Sequence, residues 1–308
     1  MSSDLFKFKF SRPEASIAKP AVSFSPSKID NLAMSDTTFD KLRDAIYKLS
    51  GIYYADSKKY LLEGRIAKRM SILKLKSFEE YLTLISSSSL NREELNQLFI
   101  AITINETYFF RAEQQFEGFE KVIVPEIIAQ MKLVGTKVFK IWSAASSSGE
   151  EAYTLAIIVK ERLKPLFPNI DFQIYATDIN TDVIESAKKG VYREYAVRNI
   201  PKHLLQKYFT IAGTNYTLKD EIRNMVKFSQ MNLYDSYAMH TMKNFNVIFC
   251  CNVLIYFDQP SKQKVVSYLF DALSSGSCLF IGYSESLHSI NKSFKLVHLD
   301  KAMVYKKS

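Results

Sequence analysis

Between Thr37 and about Arg111, apolar side chains recur every three or four positions, the spacing of amphipathic helices. Phe39, Leu42, Ile46 and Leu49 mark the first stripe, and Gly51 stops that helix. A second helix is expected over residues 58–74, with Leu62, Ile66, Met70 and Leu73 on its apolar face and Lys58, Arg65, Lys68 and Arg69 facing outward. Helices over 78–85 and 93–102, separated by a serine-rich loop at 86–89, complete a small helical domain at 35–112. A linker helix is expected over 113–134. Residues 1–34 carry scattered Phe, Lys, Ser and Pro without a period and read as a poorly ordered tail.

After Gly135 the pattern changes. Residues 138–145, 172–177, 226–230, 247–251 and 278–282 are short runs rich in Val, Ile, Phe and Cys, as suits strands buried on both faces. Helical stretches at 149–163, 181–189 and 260–273 lie between several of them, so the order predicts a mostly parallel, doubly wound α/β sheet over 135–308. Residues 294–304 read as an antiparallel partner of the preceding strand. The alternation breaks at about 191–225, which reads as an inserted subdomain. No internal repeat is present.

Composition narrows the class. At 308 residues, with 47% hydrophobic and 24% charged positions, the chain has ordinary globular composition and room for two domains. Cys250, Cys251 and Cys278 sit in apolar runs without paired spacing, which argues against a disulfide framework and for a reducing, cytoplasmic setting. No apolar run approaches the roughly 20 residues a membrane span needs, and the first thirty residues lack a signal-peptide core. The net charge of +9 favours an anionic partner, be it nucleic acid, membrane surface or acidic protein.

In a doubly wound sheet, ligands bind beyond the carboxyl ends of the strands, so the residues there carry the candidate chemistry. Small residues from Ser143 to Ser148 follow the first strand and precede Gly149, Glu150 and Glu151. Only the last glycine of a dinucleotide fingerprint is present, and two glutamates in the first helical turn favour a cationic or zwitterionic ligand over a polyphosphate. Read alone, they serve equally well as helix caps. Asp178 ends the second strand, where an acidic side chain commonly binds ribose hydroxyls; capping of the next helix is the competing role. Met231, Asn232 and Leu233 could flank an adenine, by polar contact and by packing, and Cys251, Asn252 and Tyr256 share the rim after the fourth strand. Asn105, Thr107 and Arg111 are spaced to converge on one ligand, or simply to form a domain junction. His203, His240, His288 and His298 show no metal-ligand spacing, and no metal is expected.

Taken together, these motifs resemble the CheR family of chemoreceptor glutamate methyltransferases. The resemblance runs from about Phe39 to Tyr305. It rests on Gly51-Ile52 with Lys58, Arg65 and Arg69, on TINETYFFR at 103–111, WSAASSSGEE at 142–151, ATDINT at 176–181 and NVLIYF at 252–257. It implies a helical N-terminal domain packed over a Rossmann-like S-adenosylmethionine-dependent methyltransferase domain. By that likeness Asn105, Thr107, Arg111 and Glu150 would hold the methionine end of the cofactor, Asp178 the ribose, and Asn232, Leu233, Cys251 and Asn252 the adenine side and rim. Arg111 and Tyr256 would border the transferring methyl group. Lys58, Arg65, Lys68 and Arg69 would dock the acidic cytoplasmic helices of chemoreceptors, beside membrane-bound receptor arrays.

Two departures bear on these expectations. The family usually has arginine where this chain has Cys251. Some members carry a glycine-rich loop that binds a receptor's C-terminal peptide, whereas residues 210–216 here hold a single glycine, which implies recognition independent of the receptor tail. The implied reaction yields a glutamate methyl ester and S-adenosylhomocysteine, and the protein is expected to act as a monomer without nucleic acid or membrane insertion. Two rival classes are a nucleic-acid methyltransferase, suggested by net charge, and a non-catalytic cofactor-sensing adaptor, suggested by Cys251. Asn252 is followed by Val253-Leu254 rather than Pro-Pro, which argues against the first, and intact Arg111 and Tyr256 argue against the second.

Overall fold

The computed structural model describes residues 33–87 and 92–308. Residues 1–32 of the expected tail and residues 88 and 89 of the expected serine loop lie outside the described residues. Four helices come first: α1 (Asp36–Ser50), α2 (Lys59–Leu73), α3 (Phe78–Ser86) and α4 (Arg92–Ile102). Ser35 and Ser77 cap α1 and α3 by accepting the N–H groups of Thr38 and Glu80. Leu42, Ile46, Leu62, Ile66 and Tyr81 bury their stripes against one another in a single cluster.

The expected outward face of α2 needs one correction. Arg69 is buried, with its Nε and Nη2 donating to the Glu94 carboxylate at 3.2 and 2.5 Å, and Tyr81 Oη donates to the same group at 2.8 Å. Seven residues separate Arg69 from Leu62, about two helical turns, so it falls on the apolar stripe rather than opposite it. Arg65 is half-buried and braces Tyr54 Oη and the Ile102 carbonyl. Lys58 and Lys68 are exposed.

The chain then forms α5 (Glu113–Gly118), a π-helical stretch (Phe119–Ile123) and α6 (Val124–Leu133). The strands β1 (Val138–Ala144) and β2 (Asp171–Asp178) follow, with α7 (Glu150–Ile158) between them. Next, β3 (Val191–Tyr192), β4 (Phe209–Ala212) and β5 (Asn215–Leu218) make a small antiparallel sheet where the alternation was expected to break. The last strands are β6 (Val226–Gln230), β7 (Phe245–Cys250), β8 (Leu273–Ile281), β9 (Phe294–His298) and β10 (Met303–Lys307).

The main sheet has the order β6-β2-β1-β7-β8-β10-β9, with the first five strands parallel and β10 antiparallel to both neighbours. Both faces are covered. Phe139, Ile141, Val247 and Phe249 pack towards α6 and α7, while Trp142, Ile248, Cys250 and Leu279 pack with the helix Gln259–Ala272, dividing the strands by their two-residue period. The chain moves outward from β1 to β2 and β6, then returns to place β7 on the other side of β1. That reversal opens a crevice above the carboxyl ends of β1 and β7. No helix among the described residues is long and apolar enough to cross a membrane.

The helical bundle closes this crevice from above. Ile52 bridges to Phe257, Tyr53 N–H donates to the Tyr256 carbonyl at 3.0 Å, and Tyr47 Oη reaches Asp258 at 3.1 Å.

Candidate active site

A cavity of about 240 Å³ lies where the bundle meets the strand ends. Asn105, Thr107 and Arg111 line it from the segment joining α4 to α5, and Ala145, Ser146 and Ser147 from the turn after β1. Asp178 ends β2 and Ile179 follows it, Met231, Asn232 and Leu233 lie beyond β6, and Cys251, Asn252 and Tyr256 beyond β7. Its backbone is strained: Ala145, Ser147 and Asn252 have φ of 59°, 51° and 62°, the left-handed region that non-glycine residues seldom occupy. Gly149 follows with φ of 93°, and a Cβ there would stand 2.9 Å from that of Ala187, so the turn into α7 requires glycine.

The two glutamates opening α7 diverge. Successive helical residues point about 100° apart, so one can face the cavity while the other turns away. Glu150 is buried outside the cavity, accepting a 2.7 Å hydrogen bond from Ser148, and burial pushes its carboxyl up to about 6. Glu151 lines the cavity and accepts from Ser143 Oγ at 2.7 Å. The structure therefore places Glu151, not the expected Glu150, among the cavity residues. Burial pushes Glu151 up to about 7, opposed by hydrogen bonds from Ser143 and Cys251 and by the charge of Arg111.

Asp178 accepts the backbone N–H groups of Ser147 and Asn180 at 2.8 and 2.9 Å, and the net effect of burial is still to raise its carboxyl above the ordinary range. It does not cap the next helix; Asn180 does, accepting from Asp182 and Val183. Arg111 donates to the Glu106 carbonyl at 3.0 Å and to Asn252 Oδ1 at 3.2 Å, which ties the bundle-side segment to the β7 rim. Asn232 is itself a tie, its amide donating to the Leu49 carbonyl at 2.8 Å while its oxygen accepts from Tyr234 N–H. Cys251 is a neutral thiol, pushed well up by burial and by the carboxylate of Glu151, with its Sγ 3.7 Å from Gln115 Oε1. Burial also raises the Tyr256 hydroxyl, opposed by Arg111 and Arg65.

Two family profiles divide the sequence between them. Residues 37–103 match "CheR methyltransferase, all-alpha domain" and residues 105–303 match "CheR methyltransferase, SAM binding domain". The chain belongs to the CheR methyltransferase family. A chemotaxis protein methyltransferase 2 from Vibrio cholerae is 34% identical over 280 residues, 91% of this chain and 96% of the relative. Chemotaxis protein methyltransferases from Borreliella burgdorferi and Escherichia coli K12 are each 32% identical, over 87% of this chain and 94% and 90% of theirs.

The cavity suits S-adenosylmethionine. Ser146 Oγ is buried on its wall with no hydrogen-bond partner among the described residues, a polar atom left for a ligand to satisfy. The donor set also matches the cofactor's parts. Glu151 and Arg111 offer one charge of each sign for an amino-acid end, Asp178 offers acceptors for a diol, and Ile179, Met231 and Leu233 offer apolar surface for a base.

Sequence reasoning passed over Ile179, the free hydroxyl of Ser146 within the small-residue turn, and the choice of Glu151. The signal was position: each follows a strand end or, for Glu151, sits one residue from the glutamate that was chosen.

Proposed function

We propose that this CheR-family methyltransferase transfers a methyl group from S-adenosylmethionine to glutamate side-chain carboxylates of chemoreceptors, yielding glutamate methyl esters and S-adenosylhomocysteine. The observation that carries this reading is that Glu151, Arg111 and Tyr256 line one cavity, in a chain whose relatives are named chemotaxis protein methyltransferases. Bound in this cavity, S-adenosylmethionine supplies an electrophilic methyl carbon on a positively charged sulfur.

Glutamate needs no general base, because its carboxylate is ionised near neutral pH with an ordinary pKa of about 4.3. The transfer neutralises a cation and an anion, so removing water from both favours it. The protein's contribution is alignment, which can supply on the order of 7–11 kcal/mol when reacting atoms are held in line. Arg111, fixed by Asn252 and the Glu106 carbonyl, orients a carboxylate; Tyr256 positions the incoming oxygen through its hydroxyl. Asn105, Thr107, Asp178, Asn232, Leu233, Cys251 and Asn252 complete the cofactor's surroundings. Lys58 and Lys68, with Arg65 behind them, face the acidic helices of a receptor, while Arg69 serves the bundle core. The protein works in the cytoplasm, as a monomer, beside receptor arrays.

The reading is tested by incubating the protein with radiolabelled S-adenosylmethionine and receptor cytoplasmic fragments. Label that base releases as methanol supports the ester; label that resists base overturns it. Arg111→Ala and Tyr256→Phe should each lower turnover with cofactor saturating, and unchanged turnover in both would remove them from the catalytic assignment.

A further inference from the structure

Beyond the cavity wall, the turn after β8 holds a carboxylate that nothing in the proposed chemistry uses. Glu285 is 9% exposed, and its oxygens accept backbone N–H groups from Gly282 at 2.6 Å, Asn252 at 2.9 Å and Ile255 at 3.3 Å. Two of those amides belong to the rim beyond β7. Asn252 has φ of 62° and presents Oδ1 to Arg111; Ile255 lies in the short 3₁₀ turn Leu254–Tyr256, which carries Tyr256.

The approach is close. A Cβ on Gly282 would lie 2.9 Å from both Asn252 N and Glu285 Oε2, so glycine there lets the β8 turn press against the rim. Glu285 N–H donates back to the Gly282 carbonyl at 2.9 Å, folding the turn on itself and fixing where the carboxylate stands. Backbone amides gathered on one charged acceptor form strong, directional hydrogen bonds in a water-poor setting. Without the acceptor, the Asn252 and Ile255 amides would seek other partners, and the left-handed turn at Asn252 would lose one of its restraints.

We propose that Glu285 is a positioning residue, clamping the β7 rim so that Asn252 holds Arg111 and Tyr256 faces the cavity. It acts through these residues rather than by contact with the cofactor. The inference rests on the cavity being the cofactor site and is independent of which acceptor is methylated.

The test measures S-adenosylhomocysteine binding to the full chain by calorimetry, for wild type, Glu285→Gln, Asn252→Ala and the double variant. A role through Asn252 predicts that E285Q weakens binding about tenfold in the wild-type background, yet less than about twofold once Asn252 is alanine. Binding within twofold of wild type in E285Q, or equal losses in both backgrounds, overturns the proposal; a purely structural loss would add independently. Should E285Q fail to fold, Glu285→Asp, which keeps the charge on a shorter arm, is read by the same cycle. Wild type that binds S-adenosylhomocysteine but esterifies no receptor would overturn the proposed substrate and leave the Glu285 result standing.

Discussion

Glu151 should make the protein's stability and its affinity for cofactor respond to pH in opposite senses. Its carboxyl is pushed from 4.5 to about 7, chiefly by burial. A carboxyl whose folded pKa is raised binds protons more readily in the folded than in the unfolded state, so the contribution of Glu151 to stability is fully present below pH 4.5 and is lost as pH rises through 7. A shift of that size corresponds to about 3 kcal/mol, at about 1.4 kcal/mol per unit, and is an upper figure because the surroundings can relax. Glu151→Gln removes the buried charge, so at pH 8 the variant without cofactor should be more stable than wild type by up to that amount, with little difference near pH 4. Binding runs the other way, because the amino group of the cofactor calls for an ionised Glu151. Wild-type affinity for S-adenosylhomocysteine should be about tenfold weaker at pH 6 than at pH 8, the fraction of ionised carboxylate setting the loss. The variant should bind weakly with most of that slope gone. Urea denaturation across the pH range and calorimetry at pH 6, 7 and 8 would measure both. A wild-type affinity flat from pH 6 to 8, or a slope that survives in Glu151→Gln, would refute the assignment.

Four further outcomes are expected. Arg69→Ala removes the guanidinium that donates from Nε and Nη2 to the buried Glu94 carboxylate and should cost about 3–5 kcal/mol in urea denaturation, while cofactor affinity in the folded protein stays unchanged. Lys58→Glu with Lys68→Glu should raise KM for receptor fragments, most strongly at low salt, without altering S-adenosylhomocysteine affinity in calorimetry. Gly149→Ala forces a Cβ against Ala187 at a φ of 93° and should lower the thermal midpoint, with a destabilisation of about 1–3 kcal/mol. Tyr256→Phe should lower kcat more than it changes cofactor affinity, read by comparing turnover at saturation with calorimetry.

The parallel sheet was legible because strands buried on both faces appear as continuous apolar runs, and 226–230 and 181–189 coincide with an observed strand and helix. Strands β7 and β8 begin earlier than the apolar runs do, because Phe245 pairs with Leu273 ahead of a register shift that skips residues 274–277 before pairing resumes at Val247 and Cys278, and polar residues inside such an irregularity carry no strand period. Cavity residues were found where a rule ties function to position, at the ends of β1, β2, β6 and β7. The same rule extended to β8 leads to Glu285. What escaped was orientation within one turn. Glu150 and Glu151 have the same composition and chemistry, and only the entry angle set by Gly149 decides which faces the cavity. Arg69 was misplaced because charge was weighed above helical phase, and its partner Glu94 lies on another helix.

The central claim is that this cavity brings a methyl donor to a receptor carboxylate. The most direct measurement is mass spectrometry of receptor cytoplasmic fragments after incubation with the protein and S-adenosylmethionine, with and without a hydroxide wash. The account predicts single methyl groups on glutamate side chains that hydroxide removes, and their absence with Arg111→Ala. Methyl groups on nitrogen, or fragments left unmodified by a protein that binds S-adenosylhomocysteine, would contradict it.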